Sequence, residues 1–390
     1  MKVICDRAAL TDAANLAASV APTRTPKPQL SCVHLTASKT GDGGAGTLTL
    51  AATDADISVR LSTSDVEVQD EGETLVTAQK LQQIVGAQDD STLTIDAAAE
   101  QTVIRGSGAR YTVYGYPAKD FPQIPAFPKA GQAQDAFEVT PKELHNLISR
   151  TIFSTARENS RYAINGVLLK RDGKKVEMVA TDGRRLAMAR GSVTVDDDAS
   201  AGGQCIVPTK ALNLVNKLLQ NAGEIVRVAI TDNQIMFAFD ETKGDEPGSG
   251  TVLASNLVEG TFPPYEDVIP RDQDKKATLD VPTLSSAVRR AALLTNEESR
   301  GVRMTFSGDD GPHLKLASRA PEMGEAEINV ELKGFDGDEI EIGFNPQFIT
   351  DALKVVEDDT VTIELKSSNK PGLLKAGPDF LYVVMPVNLQ

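Results

Sequence analysis

RYAINGVLLKRDGKKVEMVATDGRRLAMAR, residues 161–190, is the stretch on which the reading of this chain turns. Residues 167–170 and 176–180 are rich in β-formers, and Asp172-Gly173 lies between them where a tight turn belongs. The stretch therefore predicts a β-hairpin. A second turn is expected at Thr181-Asp182-Gly183, after which Leu186 and Met188, spaced by small residues, resume a strand. There is no nucleophile–base pair here and no metal cluster. What the stretch offers is a compact turn with Arg184 and Arg185 beside apolar Leu186, a surface suited to a peptide or a phosphate. On the local sequence alone, an ordinary hairpin with solvated arginines is the simpler reading.

Outward from the hairpin, 390 residues exceed one ordinary core and predict roughly two to four domains. No apolar run is long enough to span a membrane, and the opening MKVICDRAAL lacks the apolar core of a signal peptide. Cys5, Cys32 and Cys205 are far apart and in no CxxC arrangement, which points to a reducing cytoplasm and buried free thiols. With only His34, His145 and His313, a histidine triad or metal site has few partners, and no metal or cofactor is expected. The net charge of −15 argues against nucleic acid only if it is spread evenly.

Its position can be read because the chain repeats. Residues 2–5 predict a strand, Asp6 an N-cap, and Leu10, Ala13, Ala17 and Val20 a helix face. Residues 136–153 repeat this plan with Thr140, Pro141 and Glu143 as a capping box, and residues 276–295 repeat it again, with Leu284, Val288, Ala291 and Thr295 on one face. A second kind of helix follows the β-rich runs 73–76, 204–207 and 339–344. It opens at Thr77, Pro208 and Asn345. Thr53-Asp54 recurs as Thr181-Asp182, 128 residues on, and Lys80 recurs as Lys210, 130 residues on. A period near 130 in 390 residues predicts three similar domains, at 1–134, 135–274 and 275–390. Proline-rich stretches at 116–134 and 262–274 read as extended connectors, and the Gly/Asp-rich stretches 41–46 and 243–250 as solvated hairpin ends. The fold class is α+β, with two helices packed on antiparallel sheets in each domain.

Six helices would carry Arg7, Lys80, Lys142, Arg150, Lys210, Lys217, Arg289, Arg290 and Lys354, while acidic runs fall in strands and loops. A mildly basic face on an acidic body meets the charge objection, because charges beyond roughly 10 Å are screened at physiological salt. A merely solvated helix face explains the same cations.

At this point the residues resemble a known family, the bacterial β sliding clamps, processivity subunits of DNA polymerase III. The resemblance runs over essentially the whole chain, in RYAING (161–166), VATDGRRLA (179–187), EGTFPPYEDVIP (259–270), LLTNEESRGVR (293–303), EIGFN (341–345) and YVVMPVNL (382–389). It implies three "DNA clamp" domains assembled as a ring by a head-to-tail homodimer. That ring would encircle duplex DNA without sequence preference and tether the replicative polymerase, with no covalent chemistry. The implied partners are a second copy, the polymerase catalytic subunit, the clamp loader and other clamp-motif proteins of replication and repair.

The resemblance also implies site residues. A peptide-binding pocket between the second and third domains would comprise Ile164, Thr181, Gly183, Arg184, Arg185, Leu186, Pro263, Val268, Asn345, Phe348, Met385, Pro386 and Val387. It would suit an extended motif with a Gln and two large apolar residues. Arg184 stands where many members have His, and Asp267 where Arg is common. Val387 and Asn388 replace a Met and an Arg, and Gln390 is extra. The dimer interface would join Arg105, Arg110, Tyr111 and Val113 to Leu293, Leu294, Glu322, Glu325 and Glu327. DNA contacts would come from Arg24, Lys80, Tyr162 and Lys210, with Ala163 in the place of a second Tyr. Two rivals are a protein-only scaffold of three β-rich repeats and an enzyme using Asp182, Arg184 and Arg185 on a phosphorylated substrate. The enzyme would lack a phosphate loop, a plausible general base and a metal cluster.

Overall fold

The structure, a computed structural model, describes residues 1–40, 45–129, 132–156, 163–195, 202–239, 250–295, 301–309, 311–321 and 323–388. Six α-helices lie in it: α1 (Arg7–Val20), α2 (Ala78–Gly86), α3 (Pro141–Ile152), α4 (Thr209–Leu218), α5 (Val281–Ala291) and α6 (Pro346–Leu353). Side-chain caps start several of them. Asp6 accepts from the Ala9 N–H at 2.9 Å, Asp280 from Thr283 at 3.0 Å and Asn345 from Gln347 at 2.9 Å. Thr77 occupies the cap position of α2 without a side-chain cap bond. Glu143 reaches outward from α3 to accept from the Ser192 N–H at 3.1 Å, tying the helix to strand Arg185–Ser192. The buried face of α1 runs through Leu10, Ala14, Ala17 and Val20, so Ala14 takes the place expected of Ala13. Fourteen falls four residues after Leu10 and three before Ala17, the spacing that keeps side chains on one stripe. Thr295 lies beyond the end of α5, after a one-turn 3-10 extension, and is only half-buried.

The strands form six three-stranded antiparallel meanders, two per repeat. The first meander of each repeat is Cys32–Lys39, Gly46–Thr53 and Ile57–Thr63; then Gly166–Asp172, Lys175–Thr181 and Arg185–Ser192; then Val302–Ser307, His313–Ala320 and Gly324–Glu331. The second is Thr92–Ala98, Gln101–Arg105 and Arg110–Tyr114; then Val226–Ile230, Gln234–Ala238 and Val252–Asn256; then Thr360–Leu365, Gly372–Ala376 and Phe380–Val384. The expected hairpin is thus present. Its two-residue loop is Gly173-Lys174, one residue later than expected, with Gly173 at φ +56°, where only a residue tolerant of the left-handed region sits comfortably.

Two compact units result. The first is Met1–Pro141, Thr194–Ser200 and Asn213–Leu257; the second is Lys142–Val193, Ala201–Leu212 and Val258–Gln390. Each contains a long sheet in which the last strand of one repeat's first meander pairs with the last strand of the next repeat's second meander. In the first unit Ile57–Thr63 pairs with Val252–Asn256 in an eight-stranded sheet. In the second, Arg185–Ser192 pairs with Phe380–Val384 in a nine-stranded sheet. Each unit also has a shorter sheet. Arg110–Tyr114 ends the five-stranded one, and Gly324–Glu331 ends the four-stranded one.

The second unit holds two apolar clusters. The larger gathers α5, α6 and their strands around Leu284, Met304, Phe306, Phe344 and Tyr382. The smaller comprises Leu168, Val179, Leu186, Ile206, Tyr265 and Val383, with Phe262 and Ile269 of the connector packed on it. Neither connector is wholly extended: Ala118–Asp120 and Tyr265–Asp267 each make a 3-10 turn. Residues 41–44 and 243–249 of the expected hairpin ends, and the acidic run at 196–198, lie outside the described residues.

Candidate functional site

The Thr181–Arg185 turn begins the site. Thr181 Oγ1 donates to the Arg185 carbonyl at 2.7 Å and accepts from the Gly183 N–H at 3.1 Å. Asp182 Oδ1 accepts from the N–H groups of Arg184 and Arg185 at 3.0 and 3.1 Å, closing an Asx-type turn. Gly183 holds φ at +85°. The chain end then joins the turn, because the Met385 N–H donates to the Arg184 carbonyl at 2.9 Å.

The first unit builds the same turn from the same Thr-Asp pair, with different residues around it. Thr53 Oγ1 donates to the Ile57 carbonyl at 2.9 Å and accepts from Ala55 at 3.0 Å. Asp54 Oδ1 accepts from Asp56 and Ile57, and the Asn256 N–H donates to the Asp56 carbonyl. There Ala55 carries the positive φ, +83°. Asp56, Ile57, Ser58 and Asn256 replace Arg184, Arg185, Leu186 and Met385, and the Asn256 amide donates to the Asp56 carboxylate. One backbone frame thus occurs twice, and the second copy carries apolar Leu186 and Met385 where the first has Ser58 and Asn256.

Beside that second copy a cavity of about 220 Å³ is lined by Ile164, Thr181, Gly183, Arg184, Arg185, Leu186, Pro263, Tyr265, Val268, Val383 and Met385. Leu186 and Val383, both buried in the smaller cluster, are among its walls, whereas Val268 and Met385 are exposed. Nine of the residues expected at a pocket are therefore gathered around one space. Asn345, Phe348, Pro386 and Val387 are not on its wall. Asn345 caps α6, Phe348 lies under Arg185, and the Val387 N–H donates to the Gly343 carbonyl, fixing the tail beyond Met385.

The two arginines have opposite fates. Arg185 is consumed by the fold. Its guanidinium pairs with Asp182 and Asp351, each at 3.0 Å, donates to the Phe153 carbonyl at 2.7 Å, and lies 4.5 Å from the Phe348 ring centroid and 5.5 Å from that of Phe153. Burial works against its charge, but Tyr382, Asp351 and Asp182 outweigh burial and raise its pKa. The expectation of two available arginines is corrected here: Arg184 alone of the pair is exposed. Sequence reasoning also missed Tyr265. It is buried, and its hydroxyl donates to Glu177 at 2.6 Å while Glu177 accepts from Arg190 at 2.9 Å. Burial, then the bond to Glu177, push the Tyr265 hydroxyl well above its ordinary pKa, so it stays a neutral donor. The connector is thereby pinned to the sheet beside the cavity.

The residues expected at DNA lie on exposed positions: Arg24 just after α1, Lys80 on α2 and Lys210 on α4. Tyr162 lies outside the described residues. The helices carry Arg7, Lys80, Lys142, Arg150, Lys210, Lys217, Arg289 and Arg290 against Asp12, Glu143 and Asp351, so they are basic on an acidic chain. Arg7 is not part of a free face, because its Nε donates to the Asp90 carbonyl at 2.8 Å, and Arg150 lies over Phe380. Lys354 pairs with Asp351 at 3.2 Å.

The residues expected at the dimer seam lie on or beside the two sheet-ending strands. Arg110, Tyr111 and Val113 are on Arg110–Tyr114, with Arg105 on its neighbour and 3.6 Å from Asp96. Glu325 and Glu327 are on Gly324–Glu331, Glu327 2.7 Å from Lys315. Leu293 and Leu294 lie in the 3-10 turn after α5, and Glu322 lies outside the described residues. Tyr114, Leu293 and Met323 are 77%, 75% and 70% exposed, a large apolar outlay for surface positions. Tyr114 and Met323 were not singled out from the sequence.

Comparison with known proteins places this geometry. Three family descriptions match in succession: the DNA polymerase III beta subunit N-terminal domain over residues 1–125, its central domain over 138–264 and its C-terminal domain over 266–388. The chain belongs to the DNA polymerase III beta subunit family. It is 31% identical to the beta sliding clamp of Pseudomonas aeruginosa over the full length of both chains. Among solved structures it is similar to the P. aeruginosa sliding clamp bound to griselimycin, at 31% identity, full coverage of both chains and a TM-score of 0.85. A C. crescentus beta sliding clamp crystallised with PEG bound is 29% identical over both whole chains, with a TM-score of 0.85. Membership makes this chain a sliding clamp, a non-catalytic processivity subunit, and the enzyme reading falls away. No helix among the described residues is long and apolar enough to cross a membrane.

Proposed function

We propose that this clamp works as a ring of two copies joined head to tail, encircling duplex DNA and holding partner proteins by the Arg184–Leu186 cavity. The observation that supports this best is the unfinished pattern of strand pairing. Within the chain, the last strand of a first meander twice meets the last strand of the next repeat's second meander. Gly324–Glu331 and Arg110–Tyr114 are the members of that series still ending their sheets. Pairing them between copies continues the series, and three repeats per chain, at 1–134, 135–274 and 275–390, make six in a closed pair. Arg105 and Arg110 would meet Glu325 and Glu327 around Tyr111, Leu293 and Leu294.

Arg24, Lys80, Tyr162 and Lys210 would supply phosphate contacts without reading sequence, as sliding demands. Retention would come from topology, so a tethered polymerase gains processivity through effective concentration. The cavity would take extended peptides of the polymerase catalytic subunit, the clamp loader and other clamp-motif proteins, their large apolar side chains against Leu186, Val383 and Met385. The setting is the cytoplasm.

The test is mass in solution. The wild type should sediment near twice 41.6 kDa. Leu293→Asp with Leu294→Asp should sediment as a monomer, since burying two unpaired carboxylates costs several kcal/mol. A double variant that stays dimeric at micromolar concentration would show the seam to be misplaced.

A further inference from the structure

We propose that Arg184 and Asp267 read charge on the two flanks of a docked peptide, favouring an acidic residue beside Arg184 and a basic one beside Asp267. The proposal rests on the peptide-docking reading above.

The motive is the distribution of unspent charge. Around the cavity the neighbouring ionic groups are committed. Arg185 is held by Asp182 and Asp351, Glu177 by Arg190 and Tyr265, and Glu266 lies 3.5 Å from Lys170. Arg184 and Asp267 are both exposed, and neither side chain has a hydrogen bond or ion pair with the described residues. Arg184 is nonetheless well placed. Its N–H is fixed by Asp182 and its carbonyl by Met385, so its Cα cannot wander from the cavity wall. Asp267 ends the 3-10 turn Tyr265–Asp267, which the Tyr265–Glu177 bond anchors, and it precedes the wall residue Val268.

Arg184 therefore stands on the wall itself, at the strand-end turn, and Asp267 beside it, next to the wall residue Val268 on the connector. Other polar groups of the wall are committed: the Thr181 hydroxyl both donates and accepts within its turn, and the Tyr265 hydroxyl donates to Glu177. Apolar side chains would supply the grip and the rim charges would choose among grips, which is how exposed charges usually act at interfaces. Opposite signs on separate segments would favour one order of charges along the peptide over the reverse.

The experiment is a set of fluorescence titrations on the full-length chain. The probe is a labelled Gln-Leu-x-Leu-Phe core, with and without a single Asp or Lys added at either end. At low salt, Asp at one end should tighten binding by about threefold over the untagged core, and Lys at the other end by a similar factor, as expected for exposed pairs. Arg184→Gln should bring the Asp-tagged to untagged ratio to one, and Asp267→Asn the Lys-tagged ratio. Both ratios should collapse in high salt. Thermal melts of the variants check that each is folded. Equal affinity for all tagged peptides, or ratios that survive both substitutions, would overturn the charge-reading proposal. Absence of binding by the untagged core would instead overturn the docking reading, so the two failures look different.

Discussion

Replacing Arg185 by Ala removes a largely buried cation from the second unit. Asp182 and Asp351 each lose a partner at 3.0 Å, the Phe153 carbonyl loses a donor at 2.7 Å, and two aromatic rings lose the charge above them. The side chains of Arg185, Asp182 and Asp351 are 11%, 19% and 18% exposed, so water reaches them poorly. Removing one member of a buried ion pair costs about 3–5 kcal/mol, and the residual exposure argues for the lower end, ~3 kcal/mol. Loss of the cation–π contacts adds ~1 kcal/mol. For a unit of roughly 200 residues, 4 kcal/mol corresponds to a drop of about 10 °C in the melting midpoint. Arg185→Lys keeps the charge without the planar fork and should fall between. Arg184→Ala, one residue away and exposed, should melt within about 2 °C of the wild type. Thermal scans followed by circular dichroism compare the three. Arg185→Ala melting alongside Arg184→Ala would refute the assignment of Arg185 as the structural arginine.

Gly183→Ala should cost ~1 kcal/mol purely through backbone conformation, since an added Cβ there meets nothing within 4 Å while φ is +85°; a melt unchanged by the substitution would contradict that. Burial, with Asp6 nearby, pushes the Cys5 thiol up to about 12, and burial raises Cys32 as well. The reactive thiolate is therefore scarce at pH 8, and iodoacetamide should label neither cysteine until denaturant is added. Labelling in native conditions, read by mass spectrometry, would count against the buried-thiol assignment. Removing residues 385–390 deletes the cavity wall at Met385 and its bond to Arg184. Peptide binding should be lost with the dimer intact, and wild-type affinity in that truncation would defeat the cavity as the docking site.

Much of this was legible because local rules and the fold agree. Asp6, Asp280 and Asn345 each announce a helix start by residue type, and each does cap one. The Thr-Asp repeat at 53 and 181 betrays a shared turn that the structure reproduces bond for bond. What failed did so at long range or through ambiguity of phase. Nothing near Arg185 in sequence predicts burial, because Asp351 arrives 166 residues later. Tyr265 sits in an acidic, proline-rich segment that reads as solvated, yet its hydroxyl finds Glu177, 88 residues before it. Alanines at both 13 and 14 leave the phase of α1 open by one residue, and only tertiary packing, which buries Ala14, decides it. The cavity residues at 164, 263 and 385 come together through strand pairings that no single stretch encodes.

A ring that holds DNA by encirclement ties retention to the topology of the DNA. The direct measurement loads labelled clamp onto closed circular DNA with its loader, raises the salt, and then linearises the DNA while retention is followed by gel filtration. An acidic chain should make only weak, salt-sensitive phosphate contacts, so loaded clamp should survive high salt on the closed circle and be released once the circle is cut. Equal retention on circular and linear DNA, or equal loss from both at high salt, would contradict it.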